Sequence, residues 1–175
     1  EEILNMADEK TNKIDLLGKF VSPGFIDNHV HFISGGLQLS RVNLSNATTK
    51  EIFQERLVNF DKILPNGSWI VGGNWDHELW GGQYPDKSWI DEVINDRPVL
   101  IDRLDGHMSL ANSKALDIAG INSNTIDPIG GIILKDENNE PTGILKELAI
   151  NLVSELGPEL SIDELDKALD VAMDY

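Results

Sequence analysis

The stretch VSPGFIDNHVHF, residues 21–32, decides how this sequence is interpreted. Its β-branched and aromatic residues, after a Pro-Gly break, predict a strand over Phe25–Phe32. Because side chains alternate along a strand, Asp27, His29 and His31 would share one face. Two imidazoles held there can bind one divalent ion such as Zn²⁺, with Asp27 adding a carboxylate or orienting a histidine. Two polar histidines on a surface strand are the alternative.

Composition excludes several other classes of protein. The chain has 175 residues and a hydrophobic fraction of 41%, which is enough to bury the core of a domain. Its formal net charge of −16 argues against a nucleic-acid surface, which needs clusters of Lys and Arg. The absence of cysteine excludes disulfides and thiolate metal sites. No apolar run reaches the roughly 18 residues of a membrane helix, and a cytoplasmic location is expected by default. Since the sequence does not begin with Met, we expect a piece of a longer protein.

Strand and helix signals alternate along the chain, which predicts an α/β fold. A short strand at Lys13–Leu16 precedes a turn at Gly18. Two capping boxes, Thr48 to Glu51 and Ser161 to Glu164, predict helix starts. Further predicted elements are strands at 69–73 and 98–103, an ordered loop at 74–87, helices at 112–120 and 148–156, and a hairpin of 130–135 with 141–146. A full barrel of eight strands and helices needs at least about 200 residues, so this chain cannot hold one.

The opening stretch also carries a family resemblance. Residues 18–31, GKFVSPGFIDNHVH, closely resemble the PGFID-x-H-x-H signature of the amidohydrolase superfamily. In that family this stretch is the first barrel strand, and its two histidines bind the catalytic metal. The resemblance therefore implies that His29 and His31 are metal ligands. It also implies that the residues before them belong to a small β-sandwich, or composite, domain.

The middle of the chain resembles one branch of that superfamily. The phrases that carry the resemblance occur in order, and they are WD at 75–76, YP at 84–85, RPVL at 97–100, DGH at 105–107, NSKAL at 112–116, DP at 127–128, GG at 130–131 and EPTGILKE at 140–147. This series is similar to the amidohydrolase 3 branch, which includes N-substituted formamide deformylases and proteins labelled exoenzyme regulatory. In that branch a large α/β segment is inserted after the first barrel strand.

The resemblance covers essentially the whole chain and implies four parts. Residues 1–22 belong to the β-sandwich, and residues 23–40 form the first strand of a TIM-type barrel with its metal-binding loop. Residues 41–142 are the insertion. Residues 143–175 return to a barrel strand and helix.

Candidate metal ligands also lie near the end of the chain. Family members with two metals use a bridging anion from a later strand, often a carbamylated lysine and sometimes a glutamate. Glu147 stands in the family position with Lys146 beside it, and on a strand the two side chains face opposite ways. We favour Glu147. Its structural alternative is a carboxylate that merely begins the helix at Leu148.

Three further residues are candidates for substrate binding. His107 is either a substrate contact on the loop after the 98–103 strand or a hydrogen-bonded structural histidine. Trp75 either lines an apolar pocket with the other tryptophans or anchors the 74–87 loop. Asp27 is the third candidate. His77 is predicted to be a surface residue.

The resemblance implies hydrolysis of a non-peptide C–N bond in a small amide, formamide or cyclic amide. One or two divalent ions, with zinc the expected metal, would activate the attacking water. The general-base aspartate and two further histidines of the family would lie beyond residue 175, so we expect no activity from this chain alone. The alternative is a non-catalytic binding or regulatory protein that keeps the fold. No nucleic-acid or membrane partner is expected, and a homo-oligomer is compatible with the sequence.

Overall fold

The computed structural model describes residues 5–174, and it divides the chain into two compact units with the boundary between Val30 and His31. Residues 5–30 contain no strand and no α-helix. The strand predicted at Lys13–Leu16 is therefore wrong. The turn predicted at Gly18 is confirmed, since Leu17 and Gly18 have φ angles of 50° and 80° and the Lys19 amide donates to the Leu16 carbonyl at 2.9 Å.

The strand predicted over Phe25–Phe32 is also not formed. Residues 25–31 have no regular secondary structure, and helix α1 begins at Phe32 and ends at Leu39. A strand is stable only when its backbone groups pair with a neighbouring strand, and no strand within residues 5–174 pairs with this stretch. The first barrel strand and the β-sandwich thus remain predictions.

The unit His31–Tyr175 is built on one six-stranded mixed sheet, which confirms the α/β class. The strands stand in the order β1-β2-β3-β4-β6-β5. Their bounds are β1 Val42–Asn43, β2 Ile70–Trp75, β3 Val99–Arg103, β4 Met108–Ala111, β5 Gly131–Lys135 and β6 Pro141–Glu147. β1, β2 and β3 are parallel, whereas β3–β4, β4–β6 and β5–β6 are antiparallel. The predicted hairpin is β5–β6. β4 was not predicted.

The helices follow most of the sequence signals. They are α1, α2 Lys50–Asp61, α3 Ser88–Asp91, α4 Ser113–Ile118, α5 Asn151–Ser154 and α6 Ile162–Asp174, with 3-10 turns at His77–Trp80 and Leu148–Ile150. The N-cap of α2 is Thr49, one residue after the predicted Thr48. The Ser161–Glu164 capping box is confirmed, since Ser161 N donates to Glu164 Oε2 at 2.9 Å and Glu164 N donates to Ser161 Oγ at 3.2 Å. No helix among the described residues is long and apolar enough to cross a membrane.

Helices α1 and α6 pack closely at Gly36. A Cβ atom added to Gly36 would lie 1.9 Å from the carbonyl oxygen of Ala168. The close approach therefore requires glycine at this position. At the neighbouring Gly35 an added Cβ would meet nothing within 4 Å.

Two hydrophobic clusters form the core, one on each face of the sheet. Leu100 and Ile101 belong to different clusters because successive side chains of β3 alternate between the faces. The first cluster includes Phe53 and Leu57 of α2, and the second includes Val153 of α5.

The buried side chain of Asn112 joins these elements. Its Oδ1 accepts from Val99 N at 2.9 Å and from Ala115 N at 3.0 Å, and its Nδ2 donates to Arg97 O at 3.0 Å. Asn112 thus caps α4 and accepts a hydrogen bond from the first amide of β3. Its own polar atoms are hydrogen-bonded, as buried polar groups generally are.

Candidate functional site

Three strands end at the same edge of the sheet and carry several of the candidate residues. β2 and β3 are parallel, and β6 is parallel to β3 because two antiparallel pairings separate them. The carboxyl ends of these strands, at Trp75, Arg103 and Glu147, therefore lie on one side. Ligands of open α/β sheets bind outside the carboxyl ends of the strands. We call this side, with the carboxyl ends of β2, β3 and β6, the carboxyl edge, and a ligand-binding site is expected there.

His107 and Glu147 meet at this edge. The His107 Nδ1 atom lies 3.2 Å from Glu147 Oε2, and both side chains are more than half exposed. The His107 amide donates to Asp105 Oδ1 at 3.1 Å. The hydrogen bond and the negative charge of Glu147, followed by the charge of Asp105, raise the pKa of His107 above 6.5. The pair therefore favours a protonated imidazole against a carboxylate.

The backbone of Glu147 is unusual. Its φ of 50° and ψ of −129° are a conformation that residues other than glycine rarely adopt. Its amide donates to the His107 carbonyl at 3.1 Å, so the β4 and β6 ends are fixed together. Glu147 ends β6 and precedes the 3-10 turn at Leu148, but its side chain makes no capping hydrogen bond. The structural alternative of a capping carboxylate is therefore not supported, while the choice of Glu147 over Lys146 as a metal ligand stays a prediction.

Lys146 contacts different groups from Glu147. Its Nζ atom lies 4.6 Å from the centre of the Tyr84 ring and 3.4 Å from the Tyr84 hydroxyl. The Tyr84 ring in turn packs 4.7 Å from the ring of His77, whose Nδ1 accepts from Arg103 Nε at 3.2 Å. Arg103 also pairs with Asp105. His77 is buried, so the prediction of a surface residue is wrong: the packed rings of Tyr84 and Trp75 cover it.

Trp75 is a core residue in this structure. Its side chain is fully buried, and its Nε1 donates to the carbonyl of Ile101 at 3.0 Å. Its ring stacks 6.4 Å from Trp80 of the 3-10 turn. Of the two roles that the sequence left open, the structure supports the anchoring of the loop.

The first candidate stretch is divided between the two units. Asp27 and His29 lie in the first unit, where Asp27 Oδ1 accepts from the His29 backbone amide at 2.9 Å. His31 opens the second unit as the N-cap residue of α1, and its carbonyl accepts from Gly35 N at 2.8 Å. The side chains of His29 and His31 were expected on one face because side chains alternate along a strand. Since the predicted strand is absent, that argument no longer applies.

Within residues 5–174, no group of three or more His, Cys, Asp or Glu side chains is arranged to hold a metal ion. Imidazole and carboxylate are suitable donors for a divalent ion, but stable protein sites use three or four ligands. The roles of His29, His31, Lys146 and Glu147 as metal ligands stay predictions.

Sequence reasoning did not find Asp102. This carboxylate follows three apolar residues of β3, lies half-buried, and accepts from Ser109 Oγ at 2.6 Å. Burial raises its pKa above 3.8, against the opposing effects of the Ser109 hydrogen bond and the charge of Arg41. The available signal in the sequence was a carboxylate directly after three apolar residues of a buried strand. Carboxyls with a shifted pKa cluster at functional sites.

Comparison with known proteins defines the class. A model of the amidohydrolase family matches residues 13–175. The chain belongs to this amidohydrolase family, as the resemblance implied.

The chain is also similar in sequence to individual curated proteins. It is 47% identical over 165 residues to Protein LONG AFTER FAR-RED 3 of Arabidopsis thaliana, covering 94% of this chain and 28% of the relative. It is 37% identical to the Putative amidohydrolase YtcJ of Bacillus subtilis, covering 94% and 31%. It is 33% identical to the N-substituted formamide deformylase of Arthrobacter pascens, covering 87% and 29%. The chain thus spans less than a third of the length of each of these relatives.

A solved structure has the same fold over most of the chain. The crystal structure of an uncharacterized metal-dependent hydrolase from Pyrococcus horikoshii matches with a TM-score of 0.58 and 26% identity. The match covers 87% of this chain and 28% of that protein. Sequence and fold therefore lead to the same group of proteins.

Proposed function

We propose that this chain is part of a metal-dependent amidohydrolase that cleaves a non-peptide C–N bond in a small amide, formamide or cyclic amide. The observation that carries the proposal is the family match over residues 13–175, which includes the PGFID-x-H-x-H stretch. The name of the 33% identical relative, a deformylase of N-substituted formamides, supports an amide-type substrate.

In this proposal His29 and His31 are two ligands of a divalent ion, with zinc the expected metal, and Glu147 or Lys146 is a further ligand. In this proposal the two further histidine ligands and the general-base aspartate lie beyond residue 175, as the family resemblance implies. The chain alone is then inactive. His107 and Asp27 would contact the substrate, and His107 would do so from the carboxyl edge.

Metal analysis of the longest natural polypeptide that contains this chain tests the proposal. We expect a stoichiometric amount of divalent metal there and none in the 175-residue chain. His29→Ala and His31→Ala in the longer polypeptide should each abolish metal binding. Asn28→Ala, in the same stretch, is the matched control and should bind metal normally. A longer polypeptide that purifies without metal and takes up none would overturn the proposal.

Turnover is the second half of the test. The metal-loaded longer polypeptide should release amine from N-substituted formamides or open cyclic amides, and chelation should stop the reaction. The 175-residue chain should release nothing above the uncatalysed rate. If the longer polypeptide binds metal but hydrolyses no amide, the proposed cleavage of a C–N bond is refuted. The protein would then be a metalloprotein with a different reaction.

A non-catalytic regulatory role is a second candidate. The observation that favours it is the 47% identical relative, which is named for far-red light rather than for a reaction. A protein that keeps the fold for regulation has no need of His29 and His31 as ligands. Loss of metal binding without loss of biological effect in His29→Ala would support this candidate against the enzyme.

A further inference from the structure

A large cavity lies within the second unit, on the face of the sheet that carries Leu100 and Asp102. Its volume is about 820 Å³, which is in the range of small-molecule sites. Val71 of β2 and Leu100 of β3 line it together with Trp69, which directly precedes β2. Leu37 of α1 and Leu160, which precedes α6, also line it. One wall of the cavity is therefore apolar and aromatic.

The charged groups of the cavity differ in whether their side chains form hydrogen bonds. Asp102 accepts from Ser109 Oγ at 2.6 Å, and Glu164 accepts from Ser161 Oγ at 2.8 Å, so both carboxylates are engaged. Arg41 and Lys167 also line the cavity. Within residues 5–174 neither of these two cations forms a hydrogen bond or an ion pair within 4 Å through its side chain. The charge of Arg41 acts on Asp102 and Glu164, and that of Lys167 acts on Glu164. The guanidinium N–H donors of half-buried Arg41 nevertheless have no hydrogen-bond acceptor among the described residues.

We propose that this cavity binds a small carboxylate with an apolar body, whose carboxylate pairs with Arg41 and whose body packs on Trp69 and Leu100. A guanidinium matches a carboxylate with two parallel hydrogen bonds. In a chain of net charge −16, an anionic ligand is repelled by the protein as a whole, so its binding depends on local cations such as Arg41 and Lys167. The site requires neither the metal nor the hydrolytic reaction.

Calorimetric titration of the 175-residue chain with three matched probes tests the inference. The probes are 3-phenylpropionate, its neutral amide 3-phenylpropanamide, and the cation 3-phenylpropylamine. A ligand of this size is expected to bind with a Kd of about 1 mM. The carboxylate should bind at least about tenfold more tightly than either of the other probes, and salt should weaken it. Equal or tighter binding of the amide or the amine would overturn the inference, as would no binding of the carboxylate.

Variants locate the binding site. Arg41→Met should weaken 3-phenylpropionate about tenfold or more, because it removes a charge-assisted hydrogen-bond donor. Lys114→Met removes one positive charge from an exposed position of α4 outside the cavity, and it should leave the affinity unchanged. Glu164→Gln should tighten binding about twofold, because it removes a nearby negative charge while a glutamine can still complete the capping box.

Equal affinities of Arg41→Met and Lys114→Met would overturn the site, and so would weaker binding to Glu164→Gln. Since these measurements need no metal and no turnover, their failure would leave the proposed hydrolase intact. Failure of the metal analysis would equally leave the carboxylate site standing.

Discussion

At the scale of single residues, Asp102 is a carboxyl whose pKa is shifted by burial in the sheet. It is half-buried near the end of β3, and its one hydrogen-bond donor among the described residues is Ser109. Burial disfavours the charged carboxylate, which is why its pKa lies above 3.8. Folding therefore favours the protonated form. Its contribution to the free energy of unfolding is present below pH 3.8 and is lost as the pH rises through the pKa of the folded state.

Replacing Ser109 by alanine should raise the pKa of Asp102 further. The hydroxyl donates to the carboxylate and stabilises its charged form, so its loss leaves the burial effect less opposed. The measurement is a pH titration of the Asp102 side-chain carbon by NMR in the wild type and in Ser109→Ala. An unchanged or lower pKa in the variant would show that this hydrogen bond does not control the carboxyl.

Trp75→Phe should lower the free energy of unfolding by about 1–3 kcal/mol. The change removes the indole donor, leaves the Ile101 carbonyl without that partner in the core, and opens a small cavity. Trp89→Phe is the matched control, because Trp89 is half-buried and packs on Phe53 and Trp80 at 5.6 and 5.2 Å. Urea unfolding should show the larger loss for Trp75→Phe. A larger loss for Trp89→Phe would contradict the anchoring role.

At the scale of elements, local signals predicted the fold where the partner is nearby in sequence. The β5–β6 hairpin and the Ser161–Glu164 box were predicted correctly because each is stabilised by residues a few positions away. Strand β4 was missed since its four residues, Met108–Ala111, acquire their extended form from pairing with β3 and β6. Helix α1 was missed because Gly35 and Gly36 disfavour a helix locally, and its contact with α6 outweighs that preference.

The contact between α1 and α6 should be sensitive to one methyl group. Gly36→Ala should lower the free energy of unfolding by about 1–3 kcal/mol, because the added Cβ cannot fit beside the Ala168 carbonyl without moving the two helices apart. Gly35→Ala should instead stabilise the protein by about 0.5–1 kcal/mol, since alanine favours helix and has open space there.

Thermal unfolding of the two variants checks this pair of expectations. Hydrogen exchange of the α6 amides should be faster in Gly36→Ala than in the wild type, while the amides of β3 and β4 keep their protection. Equal stability of Gly36→Ala and Gly35→Ala would mean that the helices do not pack as closely as described.

At the scale of the whole molecule, the sequence predicted the family but not how the candidate site is formed. The sequence singled out His29 and His31 as candidate ligands because the phrase around them is specific, and that role stays a prediction. Their geometry was not readable from the sequence, because a strand at 25–32 needs partners that the described residues do not supply. The meeting of His107 with Glu147 was likewise unreadable, since it joins positions 40 residues apart through the register of β4 and β6.

Limited proteolysis should distinguish the two units. Trypsin should cut at Lys10, Lys13 and Lys19 before it cuts the second unit, because residues 7–30 lack regular secondary structure and are mostly exposed. The matched control is Lys114, which is exposed but lies in α4. Mass spectrometry should detect a resistant product that begins near residue 20. Cleavage at Lys114 as early as at Lys13 would contradict the division.

The strand order of the sheet also predicts the order in which the strands pair during folding. β3 and β4 are joined by residues 104–107, and β5 and β6 by residues 136–140, whereas the β2–β3 pairing must enclose residues 76–98 and the β4–β6 pairing residues 112–140. Short loops close at a lower entropic cost, so the two hairpins are expected to form first and the parallel strands to join last. Refolding would thus begin at the middle and at one edge of the sheet, and the carboxyl edge, which needs β2, β3 and β6 together, would be complete only at the final step.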